Sequence, residues 1–123
     1  MKKTMVPKWL DETVDKDYSS ARDYLELLYG SKKASRWSKN LKKAPISEHL
    51  ARDLLRASAT PISEVQVFDW VKQQKEISDG TPLSPILLIR QENDQPLIIA
   101  DGFHRLCAVF NVDQDAAVPC KIA

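Results

Sequence analysis

"PILLIRQENDQPLIIADGFHRLCAVF", Pro85 to Phe110, decides the fold. It opens on an unbroken apolar run closed by Arg90, the pattern of a strand buried on both faces. "QENDQ", Gln91–Gln95, is a hairpin-type turn, and "PLIIAD", Pro96–Asp101, is a second strand. "GFHRLCAVFN" then reads as a short helix. The join between strand and helix gathers Asp101, Gly102, His104 and Arg105.

Downstream, "AVPCKIA" supplies a closing strand. Upstream, "PISEV" reads as a short strand and "EVQVFDWVKQQKEISDG" as a helix, with Val67, Trp70, Val71 and Ile77 roughly aligned and Gly80 as its stop. Residues 61–123 thus spell strand, helix, strand, strand, helix, strand: an α+β core around a small mixed β-sheet. Residues 1–60 read as a helical N-terminal region packed on that core within one compact domain. Residues 1–18 are an irregular lead-in. "SSARDYLELLYG" is a helix with a Ser20–Asp23 capping box and Gly30 as its end. Ser31–Lys43 is a second helix ended by Pro45, and "SEHLARDLLRAS" a third, capped by Ser47, with Leu50, Leu54 and Ala57 on one face.

The 123 residues suit one domain with a modest core, and 43% apolar with 28% charged excludes a disordered chain. The longest apolar run is too short to cross a bilayer, and the basic start lacks a signal-peptide core, so a cytoplasmic protein without membrane contact is expected. Cys107 and Cys120 fit neither a disulfide framework nor a zinc spacing and read as inert core thiols. No metal site is expected, although Glu48, His49 and Asp53 would share a helix face. Trp9, Trp37 and Trp70 read as core anchors.

Charge is uneven. Residues 1–60 carry 13 Lys/Arg against 8 Asp/Glu, and residues 61–123 carry 5 against 9. "SKKASRWSKNLKK" holds Lys32, Lys33, Arg36, Lys39, Lys42 and Lys43 without one acid, so it is either a solvated helix face or a surface for nucleic acid or an acidic partner.

A strand-to-helix turn favours anions, because a helix N-terminus presents N–H groups and partial positive charge. Gly102 admits close approach, Arg105 has a planar donor fork suited to phosphate, and His104 can donate a hydrogen bond or take a proton. Asp101 can orient His104, bind Mg²⁺ or act as a base. The same four residues could equally serve only to cap and pair the turn.

With "PLSPILLIRQENDQPLIIADGFHRLCAVF…VPCKIA", residues 60–123 resemble the ParB/sulfiredoxin superfamily. Its phosphate-binding turn, variously Gly-Glu-Arg-Arg, Gly-Cys-His-Arg or Asp-Gly-His-His-Arg, lies between a strand and a helix. The Asp-Gly-x-His-Arg form here resembles the free serine kinase branch and small uncharacterised bacterial proteins more than the chromosome-partition branch, and looks closest to the uncharacterised group. The resemblance implies a ParB/sulfiredoxin-like fold in which Gly102, His104 and Arg105 contact the phosphate of a nucleotide or phosphorylated small molecule. It also implies ATP or another nucleotide with Mg²⁺ as cofactor, phosphotransferase chemistry, and Asp101 and His104 as catalytic groups. Glu48 and Glu64 are the other candidate bases. Phe103 stands where sulfiredoxin has its reactive cysteine, which argues against sulfinic acid reduction. Arg105→Ala is expected to weaken nucleotide binding with little loss of folding. The alternative is a non-enzymatic nucleic-acid- or protein-binding module using residues 31–43. A homodimer completing a shallow site is a further expectation.

Overall fold

The computed structural model describes residues 6–61 and 71–123. Among them are five helices and four strands: α1 (Asp15–Tyr29), α2 (Ser31–Lys43), β1 (Ile46–Leu50), α3 (Ala51–Ala57), α4 (Val71–Asp79), β2 (Ile86–Ile89), β3 (Ile98–Asp101), α5 (Phe103–Val112) and β4 (Ala117–Ile122). The strands form one mixed sheet in the order β1-β4-β2-β3. β4 runs antiparallel to β1 and parallel to β2, and β2 pairs antiparallel with β3. The chain is therefore α+β around a small mixed sheet.

Side chains alternate across a strand, and β2 uses both faces. Leu87 and Ile89 join Tyr18, Ala21, Leu25, Ala34 and Leu41 of α1 and α2 in one buried cluster. Ile86 and Leu88 join a second, with Leu54 and Leu55 of α3, Ile77 of α4, and Leu106 and Val109 of α5. All four β2 residues are buried, so the run from Ile86 to Ile89 has no polar position because neither face meets water. The turn after it places Asn93 and Asp94 at positive φ, a conformation their short polar side chains tolerate.

Two segments differ from their sequence pattern. Ile46–Leu50, expected as the start of a helix capped by Ser47, is strand β1, and only Ala51–Ala57 is helical. The edge of β4 offers hydrogen bonds along the full register from Ile46↔Lys121 to Leu50↔Ala117. That pairing overrides the helical spacing of Leu50, Leu54 and Ala57. β4 accommodates Pro119 because it pairs with β2 only from Cys120 onward.

Helix α1 begins at Asp15 rather than near Ser20, and Ser20 and Asp23 lie inside it, so the expected capping box does not start the helix. Its buried face begins at Asp17 and Tyr18 and continues through Ala21 and Leu25. Asp15 and Asp17 occupy the first turn, where negative charge suits the helix dipole. Gly30, at φ 87°, ends α1 and immediately precedes α2, as its position in the sequence suggested. At the far end of α2, Lys121 of β4 donates from Nζ to the Lys42 carbonyl (3.2 Å), a cation at a helix C-terminus.

Trp9 packs against the cluster shared with α5, and Trp37 against the cluster shared with α1. Trp70 and Glu64 lie outside the described residues, as does the expected strand after Pro61 beyond its first residue. No described helix is long and apolar enough to cross a membrane.

Candidate functional site

β3 is an edge strand, and its last residue, Asp101, delivers the chain to α5 through Gly102. Gly102 adopts φ 99° and ψ 17°, in the left-handed region, and is the N-cap of α5. Having no side chain, it leaves room for Ile86 Cδ1 and the Arg105 guanidinium, each 2.7 Å from where a Cβ would stand. The turn opens on a groove of about 730 Å³. Asp101, Gly102, Phe103 and His104 form one end of it, β3 forms its floor from Ile98, and Ser20, Tyr24, Ser58 and Thr60 line the flanks.

The four residues singled out in the sequence are thus contiguous in space, but they face different ways. His104 is exposed at the groove, its ring 5.9 Å from that of Phe103 in an edge arrangement. Arg105 turns inward and does not line the groove. Its Nη2 donates to Asp101 Oδ2 (3.1 Å), to Asp17 Oδ2 (3.2 Å) and to the Pro85 carbonyl (3.4 Å). The guanidinium side chain is 17% exposed, and its partners Asp17 and Asp101 are 6% and 16% exposed.

Asp17 is the residue that sequence reading missed. It sits 88 positions from Arg105 in the chain, and an aspartate in a helical first turn carries no local mark of a distant partner. Its only sequence signal was an acid in phase with Tyr18, Ala21 and Leu25, on the face those residues turn to the core.

Burial raises the pKa of Asp101 above its ordinary value of 3.8. The positive charge of Arg105 opposes that shift and the negative charge of Asp17 adds to it. A carboxyl raised in this way holds its proton more tightly folded than unfolded. Its contribution to stability is therefore complete below pH 3.8 and is lost as pH rises through the folded value. Asp101→Asn removes this dependence. In thermal melts from pH 3 to 8, wild type should lose ground to the variant as pH climbs out of the acid range. A difference that stays flat with pH would contradict the raised value.

The other candidates lie elsewhere. Glu48 and His49 are on β1, at the opposite edge of the sheet from β3, and Asp53 is on α3, so they do not share one helix face. His49 Nε2 lies 3.2 Å from Ser47 Oγ. No group of three or more His, Cys, Asp or Glu able to hold a metal occurs among the described residues. Both thiols are buried. Burial pushes Cys107 up to about 11 and raises Cys120 as well. At neutral pH roughly one Cys107 in ten thousand is then thiolate, too few for a nucleophile.

No family model, curated protein or solved structure matches the chain.

Proposed function

We propose that the groove beside β3 binds the phosphate of a nucleotide or phosphorylated small molecule, in a ParB/sulfiredoxin-like fold. The observation that carries this reading is that the N-terminal end of α5, from Gly102 to His104, lines one groove together with Asp101. The dipole of α5 favours an anion there, and the imidazole of His104 is placed to donate to a phosphate oxygen.

Arg105 acts from behind this surface. Its Nη2 is engaged by two carboxylates and a carbonyl, so it holds Asp101 and turns away from the groove. Asp101 at the groove end is the candidate base, and the depth of its burial raises its proton affinity, as that role requires. In a phosphotransferase of the free serine kinase type, Asp101 would accept the proton of the acceptor hydroxyl. The hydroxyl oxygen would bond to the terminal phosphorus, and the nucleoside diphosphate would leave. Asp101 alone is a poor Mg²⁺ site, since Arg105 already occupies it. Mg²⁺ would arrive on the nucleotide's own phosphates, its usual partners.

Calorimetric titration with ATP, ADP, CTP and GTP, with and without Mg²⁺, tests the proposal. Saturable binding that weakens about tenfold in His104→Ala is expected, the loss of one charge-assisted hydrogen bond. Asp101→Asn should bind at least as well, because a negative charge has left the site, yet lose any transfer activity. No saturable binding to any of the four at millimolar concentration would overturn the reading.

A further inference from the structure

On the other side of the β2–β3 turn lies a smaller cavity, about 220 Å³, where α1 and α2 meet the turn. Tyr29 and Trp37 form its aromatic wall, with ring centroids 4.9 Å apart at 70°. Tyr29 Oη donates to Gln91 Oε1 (2.7 Å), and Gln91 Nε2 donates to the Pro96 carbonyl (2.6 Å), so the wall is braced against the turn. Lys33 Nζ sits 5.8 Å from the Tyr29 ring centre, and Arg36 and Glu92 complete the rim. The volume is below the roughly 300 Å³ of drug-sized ligand sites and suits one planar ring system.

The cavity adjoins a line of charge. α2 buries Ala34, Ser38 and Leu41. Lys32, Arg36, Lys39 and Lys43 recur at i, i+4, i+7 and i+11, which places them together on the opposite face, and all four are exposed. The stripe is about 16 Å long at 1.5 Å per residue. No acid interrupts α2. Since α2 holds its fold through the apolar face, these cations contribute nothing to the core. Four of them in a row repel one another by a few tenths of a kcal/mol per pair, which an anionic polymer would reverse.

We propose that α2 binds single-stranded nucleic acid, its phosphates following Lys32, Arg36, Lys39 and Lys43 and one unstacked base entering the Tyr29–Trp37 cavity. A cationic track beside an aromatic platform is the combination that single strands require. The exposed carboxylate of Glu92 is placed to accept from an exocyclic amino group of the base. A duplex keeps its bases stacked inward and cannot fill the cavity. This site shares only Gln91 with the Gly102 groove and does not depend on phosphate binding there.

Fluorescence anisotropy with a labelled, mixed-sequence oligonucleotide of about 12 residues and its duplex tests the proposal. Wild type should bind the single strand well ahead of the duplex, with a log–log salt slope close to 3 for four contacts at about 0.7 each. Lys32→Glu/Lys39→Glu, both exposed and outside the cavity, should weaken binding about tenfold or more and lower the slope by about 1.4. Trp37→Leu keeps an apolar residue at the core margin but removes the stacking surface. It should weaken single-strand binding, and because Trp37 also packs against the core, the charge reversals alone decide if the variant melts lower. No single-strand binding at tens of micromolar protein in low salt, equal affinity for duplex, or an unaltered double reversal would each overturn the proposal.

Discussion

Arg105→Ala should lower the stability of the protein by about 3–5 kcal/mol, because it strands two buried carboxylates. That is a large share of the roughly 6–18 kcal/mol expected for a 123-residue chain, and it corresponds to a melting temperature lower by about 10–20 °C. Asp17 and Asp101 converge on one nitrogen, Nη2, and both are largely shielded from water. Without the guanidinium their charges repel each other, so one must take up a proton at neutral pH or draw in water. The variant should consequently recover stability as pH falls toward 4, where protonation relieves the pair. Arg105→Lys keeps the charge but replaces a planar fork with a compact ammonium, and an intermediate loss is expected. Asp17→Asn in the Arg105→Ala background should restore part of the loss, since one of the unpaired charges is gone. Thermal melts of the four proteins at pH 5 and 7 check this. A loss under about 1 kcal/mol in Arg105→Ala would mean that the ion pairs are only a surface arrangement of the kind worth little. The consequence for function is that weaker nucleotide binding by this variant, expected from the motif alone, would no longer identify a phosphate contact.

The sequence was most legible where short-range pattern and long-range packing agree. β2 shows as an apolar run because helices cover both faces of the sheet, and α5 shows as a mostly apolar stretch because Leu106 to Val109 are all buried. Ser31–Lys43 was bounded correctly, since Gly30 and Pro45 punctuate it on either side. β1 was hidden for the opposite reason. "ISEHL" has little alternation, its burial is slight, and its hydrogen bonds come from β4 about 70 residues later. The site divides in the same way. Asp101, Gly102 and His104 were found together because one turn holds them together. Arg105 was found but assigned an outward role, because the acid that turns it inward lies in α1, where nothing adjacent marks it.

Gly102→Ala should cost about 2–4 kcal/mol, from two sources that reinforce each other. At φ 99° an L-residue is strained wherever it finds room, and that portion is about 1–2 kcal/mol. Room is also lacking. A Cβ would stand 2.7 Å from Ile86 Cδ1 and 2.7 Å from Arg105 Nη2. Ile86 is fully buried at the junction of β2 with the core, and Nη2 is the atom that holds Asp17 and Asp101. A long arginine could ordinarily swing aside, but here moving it uncouples both carboxylates. The substitution therefore reaches the Arg105 network through a methyl group, and its effects should be less than additive with those of Arg105→Ala. A double-mutant cycle on these two positions, read by chemical denaturation, measures that overlap. Full additivity would show that the alanine methyl is accommodated without disturbing Arg105, and that Gly102 is required only for its backbone. Shortfall from additivity would show that the glycine keeps the space in which the guanidinium pairs with Asp101.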